Sequence, residues 1–394
     1  METGYFGGDR VERIHRERVQ KRWAEAYAPI KHLDPILIGT ALLLAVVGLV
    51  AIYSARYEAL NEQGLPATYY VARQAVAMVV ALGAMVVAAV VDYRHLRSYL
   101  PLLYGGSLIL LVAVLFLGVE RGGATRWIEV AGFQLQPSEV AKVAVIVTLA
   151  ALLAEHQEHL GAREVGLGLV LVAVPMGLVF LEPDLGTSLV FVWLTATMFL
   201  VGGVPARWLI GLAVTGIGGL TALLASGIYQ FEAYQLERLT AFMSSSNPSL
   251  ALGPRWNLEQ SLIAIGSGQF AGKGYLEGTQ TSLSYVPENH TDFIFTVIGE
   301  EFGFMGGAAV LALFAVLLWR GLRIATLAKD RFGMLLATGA VAMLALQVFI
   351  NVGMTLGIMP VTGIPLPFVS YGGTSLIVWF AITGLLLNVH MRRF

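Results

Sequence analysis

Basic and acidic side chains lie beside long apolar runs in the middle of the sequence, where lipid makes charge expensive. Arg126 and Trp127 come first, and Glu139 and Lys142 follow shortly after them. Glu139 and Lys142 are three residues apart, so they share one face of a helix and can pair. One interpretation is that these two residues form a local ion pair, which allows a charged side chain to lie at the edge of the membrane. We favour another, in which Lys142 and Arg126 face an outer cavity and bind an anion, because ionisable groups at such depth usually line a cavity.

Local signals predict where the helix that carries Lys142 starts. Pro137 suits the first helical turn, where the N–H that proline lacks is not needed. We expect Ser138 to be the N-cap. Glu139 then lies in the first turn, near the positive end of the helix dipole.

An acidic turn, Glu182-Pro183-Asp184, separates two later apolar runs. Its carboxylates could coordinate a divalent ion or anchor basic groups. Asp184 could equally be only the N-cap of the helix that follows.

A glycine-rich segment, residues 266–280, carries Lys273. Glycines at this density let the backbone approach a ligand or turn sharply. The segment superficially resembles a phosphate-binding P-loop, but Ser267 replaces the first required glycine, and Gly274 replaces the Ser or Thr that would hold magnesium. We therefore exclude a nucleotide site.

The next polar segment contains Glu288, His290 and Asp292 and leads into another apolar run. A metal site built from His290 with Glu288 or Asp292 is conceivable, but no paired-histidine spacing supports zinc. Thr291 or Asp292 is also expected to cap the helix that follows.

Asn351 and residues 357–374 interrupt the helical pattern between the last two apolar runs. Non-helical backbone at membrane depth must be buried in protein or face a water-filled cavity. We favour a cavity wall over a simple turn.

The elements that hold these groups must cross a membrane. Of the 394 residues, 57% are hydrophobic and only 13% are charged, and each apolar run is long enough to span a bilayer as a helix. The sequence predicts an all-α polytopic membrane protein with about ten transmembrane helices and one large extracytoplasmic loop, 227–291, between helices seven and eight. The predicted spans are 35–53, 70–91, 99–118, 139–154, 165–181, 186–202, 206–226, 292–319, 333–356 and 370–389.

The distribution of Lys and Arg predicts the topology. With ten spans, the basic residues of the N-terminal tail, of alternate loops and of the C-terminus share one side. Both termini are therefore expected in the cytoplasm, which makes residues 1–34 a cytoplasmic tail and residues 35–394 the transmembrane domain. The tail lacks the features of a secretory signal. The basic residues expected in the cytoplasmic loops are Arg94, Arg97, Arg163, Arg207, Arg320, Arg323, Lys329 and Arg331.

Two classes of function fit a polar cavity that opens to the outer leaflet. One is an enzyme acting on an anionic lipid-linked substrate, in which Arg and Lys hold a diphosphate and a carboxylate transfers a proton. The other is a transporter or flippase, for which charged groups near the midplane are expected. The polar motifs crowd the outer side, which favours the enzyme. The sequence contains no cysteine, which excludes disulfides, thiolate metal sites and cysteine nucleophiles.

Several blocks of the sequence resemble the shape, elongation, division and sporulation (SEDS) family. The resemblance runs in order over nearly the whole chain, and its details are closer to the rod-shape branch than to the division branch. The blocks that carry it are 123–127, 136–142, 182–187, 266–280, 287–293 and 357–374.

The resemblance implies a peptidoglycan glycosyltransferase that polymerises lipid II at the outer face of the inner (cytoplasmic) membrane for cell elongation. It also implies a class B penicillin-binding protein as partner, with no nucleic acid. The alternative is a flippase of lipid-linked precursors or a non-catalytic membrane scaffold for the penicillin-binding protein. The substrate-binding residues that it implies are Arg126, Trp127, Glu139, Lys142, Asp184, Arg238, Gln260, Ser261, Lys273, Glu288, His290 and Asp292.

The implied chemistry needs cations for the diphosphate leaving group and a base for the attacking hydroxyl. Arg126, Lys142, Arg238 and Lys273 would neutralise the diphosphate, with or without a divalent cation such as Mg²⁺ or Mn²⁺. No organic cofactor is expected.

At one position the sequence departs from the family. SEDS proteins carry an aspartate in the outer loop that is thought to be the base or to hold the cation. Pro248 and Gly253 frame that position here, and Ala251 occupies it. Alanine neither accepts a proton nor binds a metal, so we predict that this chain is inactive in polymerisation. No Asp lies between Asp184 and Asp292, although Glu237 or Glu259 could substitute.

Residues 302–308, rich in Phe and Gly, are a candidate contact for the partner, because small residues permit close helix approach. They could equally pack only against their own neighbours.

Overall fold

The computed structural model describes residues 32–121, 124–130, 133–156, 160–226, 254–283 and 285–393, and ten long helices dominate them. This confirms the predicted all-α polytopic architecture. The ten helices are α1 (Pro35–Glu62), α2 (Tyr69–Val90), α3 (Leu100–Leu117), α4 (Pro137–Glu155), α5 (Ala162–Leu181), α6 (Leu185–Val201), α7 (Ala206–Ala225), α10 (Ile294–Thr326), α11 (Arg331–Thr355) and α12 (Gly373–Met391). Two shorter helices, α8 (Pro254–Ser267) and α9 (Thr279–Ser282), precede α10, and a 3₁₀ helix (Tyr93–Arg97) links α2 to α3.

Within the described residues, eight helices are long and apolar enough to cross a membrane. The apolar helix α6 has 17 residues, and α7 has 20. The chain is therefore a multi-pass membrane protein.

Each predicted span coincides with a helix, but α1 is longer than predicted. It runs to Glu62, although apolarity stops near Tyr53. A hydropathy pattern detects only the part of a helix in lipid, and the helical hydrogen bonds of α1 continue beyond it through Arg56 and Glu58.

We call the end of the bundle where α1 begins and α12 ends the terminal end, and the opposite end the loop end. At the loop end lies a small antiparallel sheet that the sequence did not predict, made of β1 (Val119–Arg121), β2 (Ala124–Val130) and β3 (Phe133–Leu135). The hydroxyl of Thr374, in the first turn of α12, donates to the Gln134 carbonyl at 2.6 Å and accepts from the Gln136 amide at 3.3 Å. The sheet is thereby fixed against the start of α12.

Three helices form the centre of the bundle. The most apolar windows of α4 and α11 are 78% buried and that of α12 is 72% buried, against 22% for α2 and 17% for α3. The peripheral helices therefore present most of their apolar surface to lipid. The contact of α2 with α12 requires glycine, because a Cβ on Gly384 would lie 2.3 Å from the Met85 carbonyl oxygen.

Helix α10 is interrupted at Gly303, whose φ of 63° and ψ of −157° are not helical. Neighbouring backbone replaces the lost helical hydrogen bonds: Lys273 N donates to Glu300 O at 3.1 Å, and Phe304 N donates to Gln269 O at 2.9 Å. A Cβ on Gly272 would lie 2.1 Å from the Glu301 carbonyl oxygen. The glycines of this segment therefore allow its backbone to approach α10 closely.

Candidate functional site

Arg126, on β2, is bonded to the acidic turn between α5 and α6. Its Nη2 donates to the Pro183 carbonyl at 2.6 Å, and its Nε lies 3.7 Å from a carboxylate oxygen of Asp184. Asp184 also caps α6, accepting from the backbone amide of Thr187 at 3.0 Å and from its hydroxyl at 2.9 Å. Asp184 is therefore both the predicted N-cap and an anchor for a basic group.

Glu182, in the same turn, has no such partners. Its side chain is buried, and neither carboxylate oxygen has a hydrogen bond. Burial, with a further contribution from the charge of Asp184, raises the pKa of Glu182 to about 8, although Arg126 opposes the rise. The sequence identified Glu182 as a carboxylate of the acidic turn but did not include it among the substrate-binding residues.

The predicted ion pair between Glu139 and Lys142 is confirmed. Their charged atoms are 2.7 Å apart, and each side chain is 2% exposed. The second carboxylate oxygen of Glu139 and the hydroxyl of Ser138 are buried without a hydrogen-bond partner. The predicted role of Lys142 in binding an anion stays a prediction.

Two predicted helix caps are wrong. Gln136, not Ser138, is the N-cap of α4, and Pro137 is the first helical residue. A residue before proline prefers extended backbone, and Gln136 has a φ of −104° and a ψ of 104°. Phe293, not Thr291 or Asp292, precedes α10, without a side-chain cap.

Lys273 pairs with Glu300, a residue that was not among the predicted site residues. Its Nζ lies 2.7 Å from a Glu300 carboxylate oxygen. The Glu300 carboxylate also accepts from the Gln280 amide at 2.9 Å and from the amide and hydroxyl of Thr281 at 3.0 and 2.8 Å. Glu300 thereby ties the glycine-rich segment and α9 to α10, and Lys273 completes that anchor.

His290 lies in a group of aromatic rings at the loop end. Its ring centroid is 4.9 Å from that of Tyr70 and 5.6 Å from that of Tyr371. Burial, assisted by the charge of Arg56, lowers the pKa of His290 to about 3, so its imidazole is neutral. Its Nδ1 is buried and has no hydrogen-bond partner.

The segment between α11 and α12 is held by side-chain amides. Asn351 donates to the carbonyls of Ile364 and Asp292, each at 2.8 Å. Gln74 donates to the Ser370 carbonyl at 3.2 Å. Leu366, Phe368 and Val369 are buried in protein, so this stretch is packed into the bundle, and its predicted role as a cavity wall stays a prediction.

Other predicted residues occupy different places. Ser261, on α8, shares a 2.6 Å hydrogen bond with Thr296 and donates to the Thr355 carbonyl at 2.9 Å, joining α8 to α10 and α11. Gln260 is buried. Trp127 is paired with Val119 in the sheet.

Glu288 is exposed, and its carboxylate accepts from the Thr291 hydroxyl at 3.1 Å. Glu259 pairs with Arg255 at 2.7 Å on the surface of α8 and is half-exposed. Arg238, Ala251 and Glu237 lie outside the described residues.

No group of three or more His, Cys, Asp or Glu side chains in the described part of the chain could hold a metal ion. The described residues therefore offer no such cluster for Mg²⁺ or Mn²⁺, and the prediction of a divalent cation stays a prediction.

Comparisons with known proteins identify the family and the fold. Residues 34–393 match the family model FTSW_RODA_SPOVE, described as cell cycle protein. The chain belongs to the SEDS family. Among its relatives in this family, peptidoglycan glycosyltransferase MrdB of Escherichia coli K12 is 37% identical over 92% of this chain and 94% of that protein. Stage V sporulation protein E of Bacillus subtilis is 38% identical over 90% of this chain and 96% of that protein.

Solved SEDS structures share the fold. The rod shape determining protein RodA of Thermus thermophilus has a TM-score of 0.67 and 31% identity, covering 92% of this chain and 98% of that chain. A structure described as showing coordination of polymerization and crosslinking by a peptidoglycan synthase complex has a TM-score of 0.76 and 31% identity, with the same coverage. Within the SEDS family, this chain has RodA-like character.

Proposed function

We propose that this chain is a peptidoglycan glycosyltransferase that polymerises lipid II at the outer face of the inner membrane for cell elongation. The observation that carries the proposal is 37% identity, over 92% of the chain, to a protein named as such a glycosyltransferase. Identity that extends over all the membrane helices supports a shared architecture for the site as well as a shared fold.

The buried polar groups at the loop end support this chemistry. Lipid II carries its sugar on a polyprenyl diphosphate, and departure of the diphosphate concentrates negative charge. Fixed cations in a site that excludes water stabilise such charge strongly. Arg126 and Lys142 are buried there beside acidic partners, so a diphosphate would compete with Asp184 and Glu139 for them.

The orientation in the proposal follows from charge. Arg94 and Arg97 follow α2, Arg320 and Arg323 are near the end of α10, and Arg392 follows α12, all at the terminal end. The positive-inside rule therefore supports a cytoplasmic terminal end and an outward-facing loop end.

Ala251 leads us to propose that the chain as given is inactive. Attack by the acceptor hydroxyl needs a base, and losing a general base costs about a hundred- to ten-thousand-fold in rate. The carboxylate of Glu259 already pairs with Arg255 on the surface of α8, which argues against it as the substitute. A carboxylate at position 251 should restore turnover.

The test is lipid II polymerisation by the purified chain reconstituted with a class B penicillin-binding protein and Mg²⁺ or Mn²⁺. The chain, Ala251→Asp and Ala251→Asn are compared, because Asn has the shape of Asp without its basicity. We expect polymer from Ala251→Asp alone. Equal product from all three would move the base elsewhere, and no product from any would favour the flippase or scaffold alternative.

The proposed partner surface lies beside the break in α10. Phe270 and Phe304 stack with ring centroids 5.9 Å apart and are each 66% exposed. By contrast, a Cβ on Gly307 would lie 3.3 Å from the Phe295 ring of the same chain. Phe304→Ala should therefore reduce co-purification of the penicillin-binding protein, whereas bulky residues at Gly307 would disturb α10 itself. Full co-purification with Phe304→Ala would remove this surface from the proposal.

A further inference from the structure

Within the part of the chain that the structure describes, two arginines at the loop end have no acidic partner. Arg56 Cζ lies 5.2 Å from the centroid of the Tyr70 ring, and Arg73 Cζ lies 4.5 Å from that of Tyr69. Among the described residues, no carboxylate lies within 4 Å of either guanidinium. The Nε of Arg56 is buried and without a hydrogen bond. Arg56 Nε is therefore a donor that no described residue uses, and neither guanidinium is paired with a described carboxylate.

The rings beside these arginines form one group. Tyr70 meets Tyr371 edge-on at 5.1 Å and Tyr69 edge-on at 5.2 Å, in addition to its contact with His290. The Tyr371 backbone amide donates to the His290 carbonyl at 2.9 Å, and Arg73 lies near the Tyr371 phenol. We call these six residues the arginine–tyrosine patch: Arg56, Tyr69, Tyr70, Arg73, His290 and Tyr371.

The patch lies at the membrane boundary. Arg56 is about 32 Å along α1 from Pro35, at about 1.5 Å per residue, and the hydrocarbon core of a bilayer is about 30 Å thick. Tyr69 and Arg73 are exposed, Arg56 and Tyr371 are partly exposed, and His290 is 92% buried behind them with an unpartnered Nδ1. A ligand in the outer headgroup layer can therefore reach both arginines directly, and the imidazole lies behind them in contact with Tyr70 and Tyr371.

We propose that the arginine–tyrosine patch binds a carboxylate-bearing glycan, the sugar–peptide portion of the substrate or of the growing strand. Guanidinium groups bind carboxylates through paired hydrogen bonds. Aromatic rings offer an apolar face to the C–H groups of a sugar, and a neutral imidazole offers one donor and one acceptor to its hydroxyls. The choice of this glycan rests on the proposed function.

The main competing ligand is the phosphate of an anionic lipid. A headgroup phosphate would use the two guanidiniums, but it would leave the imidazole and the ring group without a role. Tyrosines are also common at membrane interfaces as separate anchors. Here Tyr70 and Tyr371 contact each other and a buried histidine, which an anchoring role does not require.

The test is binding of a soluble disaccharide–peptide fragment of peptidoglycan, without lipid or diphosphate, to the full chain in neutral phosphatidylcholine nanodiscs. Arg56→Gln/Arg73→Gln should weaken binding by about ten- to hundredfold, since a hydrogen bond to a charged group contributes about 1.5–3 kcal/mol. Amidation of the fragment's carboxylates should weaken it similarly. Arg255→Gln is the matched control, because Arg255 is a loop-end arginine that pairs with Glu259 and is not one of the six patch residues, and it should bind like the unmodified chain.

One further variant distinguishes weaker binding from misfolding. Arg73→Lys keeps the charge of an exposed residue but loses the planar fork, so we expect an intermediate affinity with an unchanged melting midpoint. Unchanged affinity in the double variant would overturn the proposal. The proposal would also be overturned if the chain bound phosphatidylglycerol in nanodiscs through the patch but did not bind the fragment. Binding of the fragment requires no turnover. The fragment can therefore bind even if Ala251→Asp forms no polymer, and it can fail to bind even if polymer forms, so failure of this proposal is distinguishable from failure of the proposed function.

Discussion

At the terminal end, charged side chains are paired with one another across the bundle. Asp34 at the start of α1 accepts from Leu37 N at 3.2 Å and is bonded to Arg320 of α10. Asp330 accepts from Tyr93 at 2.5 Å and from Arg94 at 3.2 Å. These contacts join helices that are far apart in sequence.

At the loop end, buried polar groups are more often incompletely paired. The buried atoms without a hydrogen bond in the described residues include Ser138 Oγ, Glu139 Oε2, both carboxylate oxygens of Glu182, Asn289 Oδ1, His290 Nδ1, Glu301 Oε2 and Asn351 Oδ1.

An unpaired buried polar group costs about 1–3 kcal/mol, and more when it is charged. A fold retains such groups where a ligand or water supplies the missing partner. The terminal end has fewer such atoms among the described residues, namely Trp208 Nε1, Arg331 Nε and His390 Nδ1. We therefore propose that the terminal end mainly holds the bundle together and that the loop end binds substrate. This contrast can be tested by removing one charge from each end.

The largest effect is expected from Lys142→Met in the Ala251→Asp background. Turnover should fall by at least about a hundredfold if Lys142 stabilises the leaving group. The change also leaves Glu139 buried and unpaired, which costs about 3–5 kcal/mol of stability. Polymer yield per folded molecule, with folding checked by size-exclusion chromatography, measures the first effect.

The matched control is Glu139→Gln/Lys142→Met, which removes both charges of the pair. It should regain most of the lost stability, because no uncompensated buried charge remains. If it also regains turnover, the pair is only structural. If it is folded and inactive, Lys142 acts on the substrate.

At the terminal end, Arg320→Met should destabilise the protein by about 3–5 kcal/mol, because the Asp34 carboxylate would be buried without its partner. The Asp34 side chain is 0% exposed. Turnover per folded molecule in the Ala251→Asp background should be unchanged. Asp34→Asn/Arg320→Met should recover stability, since Asn also caps a helix. If fully folded Arg320→Met lost turnover, the proposed difference in role between the two ends would be wrong.

A further effect is a pH dependence from Glu182. Its pKa is raised from 4.5 to about 8 in the fold, so the folded protein binds the proton more tightly than the unfolded chain. Stability from this group is therefore present below about pH 4.5 and is lost as the pH rises through about 8. Glu182→Gln should remove this decline in the melting midpoint. A midpoint with the same pH dependence in both forms would show that folding does not shift the pKa of Glu182.

Local patterns predicted much of the fold. Apolar runs located all ten long helices, and spacing identified the Glu139–Lys142 pair and the Asp184 cap. These features depend on residues within a few positions of one another. The errors at Ser138 and at Thr291 or Asp292 were also local, since several polar residues compete for a cap and the backbone geometry of one residue decides between them.

The sequence by itself determined the membrane class, the helix count and the polar motifs, because hydropathy and spacing are properties of neighbouring residues. Only the tertiary structure decided which motifs meet. Ser54 and Glu301 are bonded across 247 positions, and Arg126 reaches the turn at Pro183 across 57. It also left the Glu182 carboxylate without a hydrogen-bond partner among the described residues and placed Arg56 and Arg73 beside Tyr70 and Tyr371. Burial and partnership depend on the path of the whole chain, so no local pattern contains them.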